Sequence, residues 1–436
     1  MMKKHILILL LFPIMLFSQH NIKGVFSPAE SFTFALLYKS TPEGASYINQ
    51  SKIESDGSFV FNLDQNAETG IYKIVYAIPP EDNNFEVFYN GREHVTFHFD
   101  LDKGLSFSES SENILWHTYT DSISKLNGEI SKLYASNSPN KKSLEAVFKT
   151  LYKTQDGFEK QAANMMVLPF VKSNKMYVPK AFEDVETYSV NLMTHYFDAI
   201  DFGNPLIQSS DFLINRVEAY VFAMPENENA YKKAIDHVVK AVGDQNSQTK
   251  IYLLETLWQH MLNNNQASVA TYISDTYLLP LAKAFNRADL EQVLVNYNKT
   301  AIGKKATDFK FTYLEKKKPI KTSLYEVDMP HKGLLIFWSS TCSHCLQELP
   351  KVKAIMEKHP DVKVIAYGLE DGVLNWKKTI TDFPGFIHTY DLGKWDSPLV
   401  EDYGVQATPS YFILDSDKTI LAKPEHAEDL EAYFQD

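Results

Sequence analysis

Cysteine is nearly absent from this sequence, with two among 436 residues. A zinc site at Cys342 and Cys345 would therefore need two further ligands from histidine or carboxylate side chains. Attachment of a c-type haem needs a histidine directly after the second cysteine, but Leu346 stands there. The scarcity of cysteine thus argues against both metal-based interpretations, and we expect no cofactor.

Excess positive charge is also missing. Lysine and arginine number 43 against 55 aspartates and glutamates, a formal net charge of -12. This balance argues against nucleic acid as a partner, because binding to phosphates requires clustered cations. The sequence contains no basic block, no Walker-type loop and no repeat of clear period. Beyond residue 19, no apolar run approaches the length of a membrane span, so we expect no stable membrane insertion.

The first 19 residues have the three-part form of a secretory signal. Lys3 and Lys4 precede an apolar stretch at residues 6–17, and the small or polar Ser18 and Gln19 follow. No cysteine lies at the junction, which argues against a lipid anchor. The pattern predicts a signal peptide at residues 1–19 and an exported, periplasmic protein, in a compartment where disulfides form.

The length of the chain predicts several domains, and so does the pattern of apolar residues, which changes along the sequence. We expect a multidomain protein with an N-terminal β-sandwich-like domain, a central all-α region and a C-terminal α/β domain. The predicted boundaries are residues 20–105, 106–298 and 299–436.

Short runs with turn signals between them predict the strands of the first domain. These runs cover residues 31–38, 47–53, 58–63, 70–78, 85–89 and 94–99. In the central region, helical spacing of apolar residues predicts helices that include residues 231–242, 248–263 and 267–283. The last domain alternates predicted strands at residues 334–338, 362–369, 386–392, 411–415 and 419–423 with predicted helices at 372–380 and 427–434.

The two cysteines lie where a strand is predicted to pass into a helix. The apolar run ends at Trp338, and Cys342 is expected to be the first residue of the helix, with Cys345 on the same helix face. Unpaired N–H groups and the helix dipole at that end favour a thiolate, and a protonated His344 would add positive charge. This arrangement suits reversible disulfide chemistry, with Cys342 as the attacking residue.

The segment resembles the active site of exported thioredoxin-like thiol-disulfide oxidoreductases of the TlpA/ResA type, within the superfamily related to AhpC/TSA. As in that family, Phe-Trp ends a strand, Cys-x-x-Cys opens a helix and Glu-x-Pro follows, here Glu348 to Pro350. Many relatives have tryptophan before the first cysteine, whereas this chain has Thr341. The resemblance covers about the last third of the chain and implies a thioredoxin-like fold there.

The family resemblance also implies roles for residues outside the cysteine pair. It implies that the Thr408-Pro409 bond is cis and that Pro409 lies against the cysteines. It further implies that Glu348 lies near Cys345 and takes part in its proton transfer. Trp338 and Thr408 are expected to modulate the site, together with His344.

These features predict a thiol-disulfide oxidoreductase of the cell envelope. Cys342 would attack a protein disulfide, Cys345 would resolve the mixed disulfide, and a thiol protein would supply electrons. Alternatives remain. An oxidase is favoured by His344, and the β and helical modules would suit a partner-binding protein with a redox latch. In a peroxiredoxin-like peroxidase, Ser339 matches the Thr or Ser expected three residues before the reactive cysteine, but Leu335 stands in the place of a proline. Two inert thiols are the remaining possibility.

Overall fold

The computed structural model describes residues 20–136 and 140–435. Contacts divide the chain into two compact units, Met1–Tyr220 with Val238–Thr249, and Val221–His237 with Lys250–Asp436. The signal peptide predicted at residues 1–19 lies outside the described residues. The three domain boundaries drawn from the sequence stay a prediction.

Two four-stranded sheets form the N-terminal part of the first unit, in the orders β4-β1-β7-β8 and β3-β2-β5-β6. The strands are β1 (Asn21–Ser27), β2 (Phe34–Thr41), β3 (Gly44–Lys52), β4 (Ser58–Asn62), β5 (Gly70–Val75), β6 (Asn84–Tyr89), β7 (Val95–Asp100) and β8 (Gly104–Glu109). One apolar cluster takes residues from both sheets, among them Phe26, Leu37 and Phe97. The predicted sandwich-like arrangement is therefore present.

The sequence analysis missed β1 and β8, the first and last strands of this part. Strand β1 buries alternate residues around Gly24, whose missing side chain weakened the strand pattern. A Cβ at residue 24 would lie 2.3 Å from the ring of Phe59 and 2.6 Å from that of Phe97. Glycine is therefore required here because two aromatic rings of the core pack directly against the backbone.

Helices follow the sheets, as predicted. They are α1 (Ser111–Tyr134), α2 (Lys141–Gln161), α3 (Leu168–Ser173), α4 (Val185–Thr194), α5 (Pro205–Gln208), α6 (Phe212–Val221), α7 (Glu228–Val242), α8 (Ser247–Asn263), α9 (Ala267–Ile273), α10 (Leu279–Ala284) and α11 (Ala288–Lys299). The single helix expected at residues 267–283 is divided, because a π-helical turn at Ser274–Leu278 separates α9 from α10. Among the described residues, no helix has the length and apolar character needed to cross a membrane.

A five-stranded sheet of order β13-β12-β11-β14-β15 is the centre of the C-terminal α/β domain. The elements of this domain are β9 (Lys310–Glu315), β10 (Lys318–Ser323), β11 (Lys332–Trp338), α12 (Ser343–Met356), β12 (Lys363–Leu369), α13 (Val373–Thr379), β13 (Ile387–Asp391), α14 (Pro398–Asp402), β14 (Ser410–Asp415), β15 (Ile420–Ala422) and α15 (Glu431–Phe434). Strand β11 pairs in parallel with β12 and antiparallel with β14.

Both faces of this sheet are buried, so its central strand β11 is apolar from residue 333 to residue 338. Leu334 and Ile336 point into one cluster with α12, and Leu335 and Phe337 into another on the opposite face. The sequence analysis missed the hairpin of β9 and β10, which are paired with each other. Its turn residues Lys316 and Lys317 have positive φ angles of 45° and 67°, a conformation usually supplied by glycine or asparagine.

Candidate active site

The buried strand β11 ends at Trp338, and three residues lead from it to Cys342. The structure places Cys342 at the N-cap of α12, one position before the first helical residue, which is Ser343. The expectation that Cys342 opens the helix is thus correct to within one residue. At the N-cap, its side chain faces the unpaired N–H groups of the first helical turn.

Both thiols are free, and the structure therefore describes the reduced pair. The backbone N–H of Cys345 donates a hydrogen bond to Sγ of Cys342, with N and S 3.2 Å apart. The Cys342 thiol in turn donates to the carbonyl oxygen of Thr408 at 3.3 Å. Cys342 is partly exposed and Cys345 is fully buried. An incoming disulfide can therefore reach Cys342 but cannot reach Cys345.

The surroundings of Cys342 favour its ionised form. Burial alone would raise the pKa of this thiol. Hydrogen bonds from Cys345, from the side chain of Thr408 and from the backbone N–H of His344 outweigh burial and lower the pKa. His344 thus contributes to Cys342 through its backbone, and its imidazole is exposed. The lowered pKa makes Cys342 the better nucleophile near neutral pH.

The second cysteine has the opposite character. Burial and the hydrogen bond with Cys342 raise the pKa of the Cys345 thiol to about 12, although a backbone hydrogen bond from Ser339 acts in the other direction. Cys345 also belongs to the apolar cluster beneath α12. Cys345 therefore stays protonated until a reaction step removes its proton.

Thr408 reaches Cys342 through sheet pairing, and Pro409 follows it in the chain. Strand β14 begins at Ser410 and runs antiparallel to β11, with Ser410 opposite Phe337. The residues just before β14 therefore lie at the end of β11 from which the cysteine segment departs. The Thr408-Pro409 peptide bond is cis, as the family resemblance implied.

A thioredoxin-like family model matches residues 332–420, the segment that carries all of these features. The thiol-disulfide oxidoreductase ResA of Bacillus cereus is 28% identical over 146 residues, which are 31% of this chain and 79% of that protein. The C-terminal domain is thioredoxin-like and of the thiol-disulfide oxidoreductase family. ResA of Bacillus thuringiensis is 26% identical over 165 residues, 36% of this chain and 91% of that protein.

One solved structure similar to the thioredoxin-like domain comes from Cytophaga hutchinsonii and is described as a domain of a possible thiol-disulfide isomerase. It is 29% identical and covers 30% of this chain and 89% of its own, with a TM-score of 0.27.

Glu348 of the thioredoxin-like domain is buried, with 4% of its surface exposed. One carboxylate oxygen accepts a hydrogen bond from the N–H of Ala427 at 2.8 Å, and the other accepts one from Lys351 at 2.9 Å. Burial raises the pKa of Glu348, but these two partners and the nearby His344 lower it further than burial raises it. Glu348 is therefore an ionised group that ties α12 to the chain before α15.

His344, Glu348 and His426 form one group of three possible metal ligands among the described residues, with ligand atoms within 4.8 Å of one another. The Lys351 ammonium already compensates the carboxylate. The ring of His426 accepts a hydrogen bond from the backbone N–H of Asp429. These contacts favour a hydrogen-bonded, charge-compensated cluster over a metal centre.

Trp338 lies beneath the site and is fully buried in the same cluster as Cys345. Tyr411, which the sequence analysis named only as a strand residue, is a further buried neighbour. Burial raises its pKa, and the charges of Glu348 and of both cysteines act in the same direction. Its placement follows from strand pairing, since Tyr411 stands opposite Ile336 on β11.

Glu370 is a further buried residue that the sequence analysis missed. It follows the last residue of β12 and is fully buried, and its carboxylate binds Ser340 in the segment before Cys342. A charged residue directly after the apolar run of residues 364–369 was the available signal.

Proposed function

We propose that the protein is a thiol-disulfide oxidoreductase of the cell envelope that reduces protein disulfides. Cys342 is the nucleophile, Cys345 resolves the mixed disulfide, and a thiol protein returns the pair to its reduced form. The proposal rests on the difference between the two cysteines. Cys342 is accessible and has a lowered pKa, whereas Cys345 is buried and has a raised pKa.

The reaction proceeds in two displacements. The Cys342 thiolate attacks one sulfur of the substrate disulfide, a bond forms between Cys342 and the substrate, and the other substrate sulfur leaves as a thiolate. Cys345 then loses its proton and attacks Sγ of Cys342, which releases the second substrate thiolate. Two electrons pass to the substrate, and the protein retains a disulfide between Cys342 and Cys345.

Deprotonation of Cys345 is the demanding step, because its pKa of about 12 lies far above neutral pH. Glu348 is the candidate acceptor suggested by the family resemblance. Its lowered pKa makes it a weak base while Ala427 and Lys351 hold it. We infer that proton transfer to Glu348 requires these hydrogen bonds to loosen, which binding of a substrate beside α12 could bring about.

Export to the envelope rests on the pattern of residues 1–19, where a basic start precedes an apolar stretch and a small, polar end. A compartment in which disulfides form would also supply the substrate.

Reduction of insulin by the purified protein, with dithiothreitol as electron source, tests the activity. The protein should accelerate precipitation of the insulin chains, and Cys342→Ser should be inactive because it lacks the nucleophile. The matched Cys345→Ser variant keeps Cys342 but should lose turnover, since it cannot resolve the mixed disulfide. Equal rates with and without the protein would reject the reductase proposal.

Disulfide formation is the second candidate function. The hydrogen bonds that lower the pKa of Cys342 stabilise the reduced pair, and such stabilisation makes a cysteine pair more oxidising. Oxidation of a reduced, unfolded protein substrate by the oxidised pair would favour this direction over reduction.

A further inference from the structure

A pocket of about 340 Å³ lies among the helices of the first unit. Ile123 and Asn127 of α1 line it from one helix face, since they are four residues apart. Met176 after α3, Leu192 of α4 and Arg216 of α6 belong to the rest of its lining. The volume is that of a small-molecule site, for which about 300–1,000 Å³ is usual.

Arg216 brings a positive charge to this pocket that no carboxylate of the described residues balances. Burial lowers the pKa of its guanidinium, and only Tyr196 and Tyr119 act against burial. Burial in turn raises the pKa of both tyrosines, so neither carries a negative charge at neutral pH. Nε of Arg216 is buried and has no hydrogen-bond partner within the described part of the chain. A charge removed from water without a counterion is costly.

Two other cations at the pocket already have counterions. Lys175 pairs with Glu159, and Nδ1 of His195 lies 2.6 Å from Oδ2 of Asp198. The Arg216 guanidinium packs instead on the ring of Tyr196, with Cζ 4.1 Å from the ring centre. This contact holds the guanidinium in place but supplies no counterion. The pocket thus contains a positioned cation that can accept an anion.

The rest of the lining combines apolar and polar side chains. Ile123, Met176 and Leu192 provide apolar surface, and Asn127 and Asn174 provide amides. A guanidinium presents its donors in a planar fork, which matches the two oxygens of a carboxylate. A carboxylate on an apolar body fits this combination, because its two ends find partners of matching polarity.

We propose that this pocket binds a small organic carboxylate, with the charged end against Arg216 and the apolar body against Ile123 and Leu192. The proposal goes beyond thiol-disulfide chemistry and does not depend on it, since every residue of the pocket lies outside the thioredoxin-like domain. The bound carboxylate would supply the counterion that Arg216 lacks.

Phenylacetate and its neutral analogue phenylacetamide are suitable probes, because the two molecules have nearly the same shape. Calorimetric titration of the full-length protein should show saturable binding of phenylacetate. Phenylacetamide should bind at least about tenfold more weakly, the effect of losing hydrogen bonds between charged groups. Arg216→Met keeps most of the side-chain length but not the charge, so it should weaken phenylacetate binding by a similar factor.

Lys125→Met is the matched control, since Lys125 is an exposed cation of α1 outside the lining of the pocket. This variant should bind phenylacetate like the wild type. Ser124→Trp places a large ring at an exposed position of the lining and leaves Arg216 unchanged. It should abolish binding by filling the space, and it keeps the test decisive if Arg216→Met does not fold.

The proposal is overturned if the wild type shows no saturable binding of phenylacetate, or if phenylacetamide binds equally well. Wild-type affinity for phenylacetate in Arg216→Met or in Ser124→Trp overturns it too. A loss of affinity in Lys125→Met as large as that in Arg216→Met would do the same, because it would show a general effect of charge.

Discussion

The backbone N–H of Cys345 donates to Sγ of Cys342, three residues earlier, at 3.2 Å. This bond lowers the pKa of the thiol that accepts it, whereas the sulfur of the donor residue is buried and has its own pKa raised to about 12. One turn of helix thus separates two thiols that ionise in different pH ranges.

Alkylation with iodoacetamide should show this difference directly. Because only the thiolate reacts, the rate at Cys342 should rise with pH and then reach a plateau. The midpoint of the rise gives the pKa of Cys342, which should lie below about 8.5, the pKa of an unperturbed cysteine. Measurement in Cys345→Ser isolates Cys342. Cys345, measured in Cys342→Ser, should remain almost unreactive throughout this range. A midpoint for Cys342 at or above the unperturbed value would contradict its assignment as the nucleophile.

Substrate proteins should be trapped by removal of the resolving cysteine. Cys345→Ser should accumulate mixed disulfides through Cys342, visible as adducts that disappear on addition of reductant, since no second thiol can displace the substrate. Cys342→Ser is the control, because the buried Cys345 cannot be reached by a protein disulfide. Similar adducts in both variants would show that the two cysteines do not have separate roles.

The reduction potential of the cysteine pair should decide the direction of electron flow. Potentials run from about -270 mV for thioredoxin to about -120 mV for a strong oxidant, and ~30 mV corresponds to a tenfold change in equilibrium constant. We expect equilibration with glutathione buffers to give a value nearer the reducing end. A wild-type value near that of the oxidant would support disulfide formation instead.

The C-terminal domain should fold without the rest of the chain. Both apolar clusters that cover its central sheet consist entirely of residues between 306 and 434. A fragment of residues 301–436 should therefore unfold cooperatively on heating and should reduce a small disulfide. A fragment of residues 250–436 is the comparison. If only the longer fragment folds, helices before residue 301 are required for stability.

Glu86 should make the stability of the first unit depend on pH. Burial and repulsion by Asp211 together raise the pKa of Glu86 to about 7. Hydrogen bonds from Ser210 and from the Asp211 N–H, and the charge of Lys73, act in the opposite direction but are outweighed. Because the folded state binds the proton more tightly than the unfolded state, stability should be highest below about 4.5 and fall as pH rises to about 7. The difference between the ordinary and the raised pKa corresponds to a loss of about 3 kcal/mol in the free energy of unfolding, at ~1.4 kcal/mol per pKa unit.

Glu86→Gln tests this linkage, since glutamine keeps the shape and some hydrogen bonding but cannot titrate. The free energy of unfolding of the variant should be flatter between pH 4.5 and 7. Equal slopes for the variant and the wild type would show that Glu86 titrates alike in the folded and unfolded states.

Local spacing in the sequence determined the cysteine site. Residues three apart on a helix lie on one face, so the positions of Cys342 and Cys345 after an apolar strand were sufficient to predict that their side chains meet. Alternation and helical periodicity likewise predicted most of the strands and helices, because these patterns repeat over a few residues. These patterns failed at β1, because a glycine occupies one of its core-facing positions. They also failed at the turn between β9 and β10, because two lysines there adopt positive φ angles.

The tertiary structure decided which distant groups surround the sulfurs. Thr408 reaches Cys342 across 66 residues of chain because β14 pairs antiparallel with β11, and Glu348 is buried because Ala427 covers it. Glu370 meets Ser340 because β12 and β11 end side by side in a parallel pair. Such contacts depend on the order and direction of strands in the sheet, and no local pattern of residues specifies them.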